Sequence, residues 1–118
     1  MKHQSGKAKG RRLQKFVRDV LRTLGKPLGL EDADIESRGM GQAGLDIILS
    51  PAARKVFPYA IECKMVEKLQ VFPTFCEHYR KYEGVSDLKL LVHSKNHSPV
   101  LVTLMFSDLI NLLKPRNE

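Results

Sequence analysis

Apolar residues recur at helical spacing near the start of the chain and at strand spacing farther along it. Between residues 11 and 24 they follow an i, i+3, i+4, i+7 pattern. This pattern predicts an amphipathic helix whose core-facing positions are Leu13, Phe16, Val17, Val20, Leu21 and Leu24. The β-prone runs at 45–49 and 56–64, separated by six residues typical of a turn, predict a long β-hairpin.

The second half of the chain predicts one more helix, two strands and a final helix. Phe72-Pro73 begins the helix and Gly84 ends it, strands follow at 88–93 and 100–104, and Ser107 caps a short helix. The glycine-rich segment 38–44 is predicted to be a loop. The predicted order is α-β-β-α-β-β-α, an α/β fold with a mixed central sheet flanked by helices. We expect one domain, residues 1–118, in which residues 1–10 form a flexible basic N-terminus.

Charge is unevenly distributed along the chain. The net charge is +7, and the segment before Pro27 holds nine Lys or Arg residues against one Asp. Such an excess favours a polyanion such as nucleic acid, although a stripe of this kind can also be a merely solvated helix face. The candidate phosphate-binding residues are Lys7, Lys9, Arg11, Arg12, Lys15, Arg18, Arg22 and Arg38.

The sequence carries no sign of a membrane or secreted protein. No apolar run approaches the roughly 18 residues that span a bilayer, and the N-terminus lacks the apolar core of a secretory signal. The two cysteines, Cys63 and Cys76, lack CxxC spacing, so we expect two free, buried thiols. We therefore expect a cytoplasmic, intracellular protein without a membrane partner.

Three charged residues occupy strand positions where burial is predicted. Asp46 lies in the first strand of the hairpin, and Glu62 and Lys64 lie on one face of the second. In a symmetric hairpin Asp46 is opposite Glu62, and Lys64 faces Gly44. Because buried charges are costly unless they are paired or metal-bound, this trio requires an explanation.

A divalent metal explains the trio. Two converging carboxylates repel unless a cation lies between them, and oxygen ligands suit Mg²⁺, with Mn²⁺ as a substitute, better than zinc. The backbone carbonyl of Cys63 is a further candidate ligand, and Glu67 a possible third acid. A metal there would activate water and stabilise a phosphodiester transition state, with Lys64 orienting the water.

The alternative is a surface ion pair of Glu62 with Lys64 beside an unrelated turn aspartate. The histidines His3, His78, His93 and His97 lack metal-ligand spacing and are interpreted as structural.

The segments Gly44-Leu45-Asp46-Ile47 and Ile61-Glu62-Cys63-Lys64 together resemble the motif of the PD-(D/E)XK nucleases. Among these, the basic Lys9–Arg12 stretch and residues 37–39 resemble small phage-type and archaeal-type Holliday junction resolvases, and the resemblance covers roughly residues 7–93. Leu45 replaces the proline that gives the motif its name. The resemblance implies a restriction-endonuclease-like fold and a Mg²⁺-dependent endonuclease acting on branched DNA as a homodimer. It also points to Gln14, in place of a helix-one glutamate, and to Glu77 or Lys81 on the following helix as accessory residues.

Two other functions fit the same residues. One is a different nuclease on the same scaffold, an exonuclease or a restriction-type enzyme. The other is a non-catalytic nucleic-acid-binding module in which Glu62 and Lys64 merely pair. Mg²⁺-dependent cleavage that is abolished by Asp46→Asn separates the nucleases from the binding module.

Overall fold

The structure is a computed structural model that describes residues 6–39, 42–85 and 87–115. Helices and strands are interspersed along these ranges, so the protein is α/β, with two additional short 3-10 turns at Lys26–Leu28 and Asp32–Asp34. No helix in these ranges is both long and apolar enough to cross a membrane. The regular elements are α1 (Gly6–Gly25), β1 (Ile35–Ser37), β2 (Ile47–Leu49), α2 (Pro51–Val56), β3 (Tyr59–Met65), α3 (Val71–Lys81), β4 (Leu88–Ser94), β5 (Leu101–Thr103) and α4 (Phe106–Leu113).

The strands form two sheets rather than the predicted single central sheet. β1 and β2 are an antiparallel pair, whereas β3 pairs with β4 in parallel and β4 pairs with β5 antiparallel. Within the described part of the chain, β2 and β3 share no ladder. The predicted hairpin is therefore wrong, and so is the register that placed Asp46 opposite Glu62. The strand β1 was not predicted, because its three residues lie in a mostly acidic segment.

The segment between β2 and β3 is a helix, and its sequence explains why no hairpin forms. The Ser50 hydroxyl accepts a hydrogen bond from the backbone N of Ala53 at 3.1 Å and donates to Asp34 Oδ1 at 2.7 Å. Pro51 occupies the first helical position, where a missing N–H costs nothing. Ser-Pro is thus a helix start rather than the predicted turn. Helix α2 connects β2 to β3. Helix α3 then forms the crossover connection that parallel strands such as β3 and β4 require.

Helix α1 begins earlier and buries less than predicted. It begins at Gly6, so residues 6–10, which were expected to be flexible, are helical, while residues 1–5 lie outside the described residues. Leu13 is buried, and Val17 and Leu21 pack against the same core. The other predicted core positions of the helix are exposed, namely Phe16, Val20 and Leu24. The apolar face therefore consists of two stripes, of which one contacts the core.

Strand β3 has one face toward α1 and the other toward α3. Ile61, Cys63 and Met65 belong to the core cluster that α1 packs on. Since side chains alternate along a strand, Glu62 and Lys64 project from the opposite face. There α3 covers the sheet, and its aromatic Phe75 is buried.

The C-terminal elements lie where they were predicted but remain largely uncovered. Ser107 does not cap the last helix, because α4 begins at Phe106 after Met105 and has no side-chain capping bond. No residue of α4 is buried. Six apolar side chains of β5 and α4 are exposed: Leu101, Val102, Phe106, Ile110, Leu112 and Leu113.

Candidate active site

The carboxylate of Asp46 bridges the gap between the two sheets. Its Oδ2 accepts a hydrogen bond from the backbone N of Cys63 at 2.7 Å. The carbonyl of Asp46 accepts from the backbone N of Arg38 at 2.8 Å, so main chain and side chain are both anchored. A side-chain bond thus performs the alignment that the predicted hairpin ladder would have provided.

Gly44 is covered by an arginine rather than by Lys64. Its φ of +119° favours glycine, and a Cβ at this position would lie 2.8 Å from Cζ of Arg38. Arg38 Nε also donates to the carbonyl of Leu45 at 2.7 Å. The prediction that Lys64 faces Gly44 is therefore wrong, and the Arg38 guanidinium fixes the backbone that leads into Asp46.

Glu62 contacts two cationic or potentially cationic side chains. Lys64 Nζ lies 3.8 Å from Oε1, and His78 Nδ1 lies 3.2 Å from Oε2. His78 Nε2 is 3.0 Å from the carbonyl oxygen of Ala60, and because a carbonyl only accepts, this nitrogen carries a proton. Among the described residues, the buried Nδ1 has no hydrogen-bond partner. Its distance to Glu62 is short enough for a hydrogen bond, but the two groups are not aligned for one. The contact is attractive when Nδ1 also carries a proton.

The two carboxylates respond to this environment in opposite directions. Burial raises the pKa of Asp46, the hydrogen bond from Cys63 opposes that rise, and the charge of Glu62 adds to it. The contact with His78 lowers the pKa of Glu62, burial opposes this, and the charge of Lys64 lowers it further. The charges of Lys64 and His78 also act on Asp46. The structure therefore brings the predicted trio together and adds His78 to it.

The oxygen atoms at this site fit a hard divalent metal. In a strand, the N–H and C=O of one residue point to the same edge, so the carbonyl of Cys63 faces Asp46, as its N–H does. Burial, and then the charges of Asp46 and Glu62, raise the pKa of the Cys63 thiol, which therefore stays protonated. Across the ranges that the structure describes, no group of three or more His, Cys, Asp or Glu side chains is placed to hold a metal. A metal here would depend on two carboxylates, the Cys63 carbonyl and water, a set that suits Mg²⁺ or Mn²⁺.

The accessory residues predicted from the sequence lie elsewhere. The Glu67 carboxylate accepts a hydrogen bond from the backbone N of Asn96 at 2.8 Å and so anchors the β4–β5 loop. Glu77 is exposed on α3, and Gln14 is half-buried on α1. In the described ranges, neither Gln14 nor Glu77 has a hydrogen bond or ion pair with Asp46, Glu62 or Lys64. Lys81 acts on Glu62 through its charge.

The predicted phosphate-binding residues divide into two groups. Three have internal roles: Arg18 pairs with Asp19 at 2.9 Å, Arg22 donates to the carbonyl of Ile35 at 2.9 Å, and Arg38 covers Gly44. The remaining five have no ion pair with any described residue and line the first half of α1: Lys7, Lys9, Arg11, Arg12 and Lys15. The cationic surface is thus shorter than the predicted stripe.

Sequence reasoning missed the role of His78, which its spacing predicts to be structural. It is 1% exposed, and its ring packs edge-on against Tyr82 with centroids 5.3 Å apart. The available signal was helical spacing, since His78 follows the buried Phe75 by three residues and precedes Tyr82 by four. That spacing places an ionisable ring on the inner face of α3, opposite the strand that carries Glu62.

Comparison of this chain with protein-family models, with curated proteins and with solved structures finds no match.

Proposed function

We propose that this protein is a Mg²⁺-dependent endonuclease that hydrolyses DNA phosphodiesters with Asp46, Glu62 and Lys64. The observation that carries the proposal is the 2.7 Å hydrogen bond from the backbone N of Cys63 to Asp46 Oδ2. It holds a carboxylate from one sheet against the strand that carries Glu62 and Lys64, although the two strands do not pair. Burial raises the pKa of Asp46 and the charge of Glu62 raises it further, as expected where two carboxylates converge in the metal-free protein.

The chemistry follows from the donors and their surroundings. Asp46, Glu62 and the Cys63 carbonyl would hold Mg²⁺, with Mn²⁺ as a substitute. The bound metal would supply Lewis-acid polarisation of the phosphodiester and a water of lowered pKa. Lys64 keeps its ammonium near Glu62, where it can orient the attacking water and offset charge on the phosphate. His78 lies 3.2 Å from Oε2 of Glu62 and Lys64 lies 3.8 Å from Oε1, so a metal bound by Glu62 would share the carboxylate with these two side chains.

The substrate class rests on the surface charge and on the resemblance to PD-(D/E)XK nucleases of the Holliday junction resolvase type. The five Lys and Arg side chains on the first half of α1 that have no ion pair with a described residue suit a phosphate backbone. The restriction-endonuclease-like version of the α/β fold belongs to the same proposal. Within it, branched DNA is the favoured substrate, and another nuclease specificity is the alternative.

A homodimer belongs to the proposal as well, because a two-fold symmetric junction needs two active sites. The exposed apolar side chains of β5 and α4 support self-association, since exposed apolar surface often marks a protein–protein contact. Phe106→Ser, at a side chain that is 72% exposed, should shift the protein to monomer in sedimentation experiments. A wild-type protein that is monomeric at every concentration contradicts the dimer alone.

Cleavage assays test the function. Purified protein is incubated with labelled four-way junction, flap, linear duplex and single-stranded DNA, in Mg²⁺ or in EDTA. Paired nicks confined to the junction, present only with Mg²⁺ and absent from Glu62→Ala and Lys64→Ala, support a junction endonuclease. Cleavage of the other DNAs keeps the nuclease and changes its specificity. No cleavage in Mg²⁺ or Mn²⁺ refutes the proposal.

One observation favours a second candidate, the non-catalytic nucleic-acid-binding module. Glu62 already has Lys64 and His78 as neighbours, as expected of an ion pair network with a structural role. The module predicts DNA binding that is sensitive to salt, indifferent to Mg²⁺ and unchanged by Asp46→Asn. The nuclease predicts that Asp46→Asn removes the response to Mg²⁺.

A further inference from the structure

A cationic groove lies on the α1 side of β3, on the face opposite Glu62. Its volume is about 400 Å³. It opens between the first half of α1 and the loop that joins β4 to β5, beyond the carboxyl ends of the parallel strands β3 and β4. Crevices at the carboxyl ends of parallel strands are where α/β proteins commonly bind ligands. The groove is lined by Lys9, Arg12, Lys95 and His97 over an apolar floor that includes Phe16 and Met65.

The charge of the groove is of one sign. Among the described residues that line it, none is acidic. Lys9, Arg12 and Lys95 have no ion pair with any residue in the described ranges. Three unneutralised cations around one concavity repel each other, so an anion bound between them would relieve that repulsion.

The loop that supplies Lys95 and His97 is held in place. The Ser94 hydroxyl lies 3.1 Å from the carbonyl oxygens of Ser98 and Pro99. Glu67 accepts from the backbone N of Asn96, and His97 adopts a φ of +56°, a left-handed conformation that few residues other than glycine take. The loop is therefore an anchored turn that presents Lys95 and His97 to the groove.

The groove adjoins the candidate active site across one strand. Met65 lines the groove, and Lys64, the residue before it, belongs to the site on the other face of β3. A nucleic-acid strand that passes over the carboxyl end of β3 would therefore meet both. We propose that this groove binds phosphates of the DNA strand that flank the scissile phosphate. The inference rests on the proposed nuclease function and adds the path of the strand and two DNA-binding residues outside α1, Lys95 and His97.

Binding without cleavage tests the groove. Fluorescence anisotropy with labelled junction DNA, in EDTA and over a series of salt concentrations, compares wild type with the double variant Lys9→Ala/Lys95→Ala. The matched control is the double variant Lys26→Ala/Lys55→Ala, which also removes two exposed lysines, one from the 3-10 turn after α1 and one from α2. The groove variant should bind roughly tenfold or more weakly, because each ion pair between a lysine and a phosphate strengthens binding several-fold. Its salt slope should fall by about 1.4 to 1.8, the change expected when two phosphates are no longer neutralised, whereas the control should stay close to wild type.

The outcomes separate the groove from the function. If the groove variant and the control both match wild type in affinity and salt slope while wild type cleaves DNA with Mg²⁺, the groove proposal fails and the nuclease stands. If the groove variant and the control weaken binding equally, the effect comes from net charge and the groove proposal also fails. If wild type does not bind the junction DNA, both proposals are overturned. Circular dichroism spectra confirm that the variants, changed at surface positions, remain folded.

Discussion

Replacing Asp46 in two ways separates its structural bond from its charge. Asp46→Ala removes the acceptor of the Cys63 N–H and leaves this donor without its partner. The donor is buried, since Cys63 is 6% exposed. An unsatisfied buried donor costs about 1–3 kcal/mol. Asp46→Asn keeps an amide oxygen as acceptor and removes the negative charge. We therefore expect the Asn variant to be more stable than the Ala variant by about 1–3 kcal/mol, or roughly 4–12 °C in melting temperature for a chain of this length.

The sign of the charge effect follows from the pKa of Asp46. The folded state raises that pKa above the unfolded value near 3.8, so the folded protein holds the proton more tightly than the unfolded chain does. Ionisation therefore destabilises the fold as pH rises past the unfolded pKa, and the full cost is present once pH exceeds the folded pKa. At pH 7 in EDTA, Asp46→Asn should be at least as stable as wild type.

Urea unfolding of the three proteins at pH 7 in EDTA measures these differences, and repetition in Mg²⁺ tests the metal. Mg²⁺ should stabilise wild type by linkage and leave Asp46→Asn unchanged. Equal stability of the Asn and Ala variants would show that the bond to Cys63 does not hold the sheets together. An Asn variant well below wild type in EDTA would refute the argument from the buried charge.

Three other outcomes follow from the same region. His78→Ala should lower the free energy of unfolding by about 2–4 kcal/mol, since it leaves a cavity and an unpaired carbonyl; urea unfolding that shows under 1 kcal/mol would contradict the packing of α3. Gly44→Ala should cost about 1–3 kcal/mol and more than Gly29→Ala, because the φ of +119° at Gly44 is farther from the left-handed region than the +86° at Gly29, and because moving Arg38 away from the new Cβ breaks its hydrogen bond to the Leu45 carbonyl; equal thermal shifts would contradict this. Because the pKa of Glu62 is lowered in the fold, its contribution to stability is present above its unfolded pKa near 4.5 and is lost as pH falls through the folded value. The stability of Glu62→Gln should therefore depend less steeply on pH in that acidic window, and parallel urea profiles would refute the prediction.

Sequence periodicity predicted the elements better than their pairing. The strand predicted at 88–93 and the helix predicted from Phe72-Pro73 to Gly84 correspond to β4 and α3, because alternation and helical spacing are local properties. The parallel pairing of β3 with β4 is not local, since α3 lies between the two strands. The predicted hairpin failed because α2 separates β2 from β3, and its Ser50-Pro51 start resembles a turn signal. The exposure of Phe16, Val20 and Leu24 was equally hidden, since a sequence shows which residues are apolar but not which of two apolar stripes finds a partner.

The candidate site was predicted in its residues but not in its construction. Asp46, Glu62 and Lys64 were recognisable as charges within apolar strands. The hydrogen bond that brings Asp46 to Cys63 replaces a hairpin register, and no sequence pattern encodes a bond between a side chain and a distant backbone N–H. His78 was missed because a histidine without ligand spacing is usually structural, and its contact with Glu62 arises only when α3 packs on the sheet.

The most direct test of the nuclease is the single-turnover rate of cleavage of junction DNA in Mg²⁺ by wild type, Glu62→Gln and Glu77→Gln. The two variants remove the same charge, one from the site and one from the exposed side of α3. We predict that Glu62→Gln lowers the rate by at least about 100-fold, as expected when a metal-holding catalytic carboxylate is removed. Glu77→Gln should stay within about threefold of wild type, because a surface substitution away from the site changes little. A Glu62→Gln enzyme that cleaves as fast as Glu77→Gln would contradict the account.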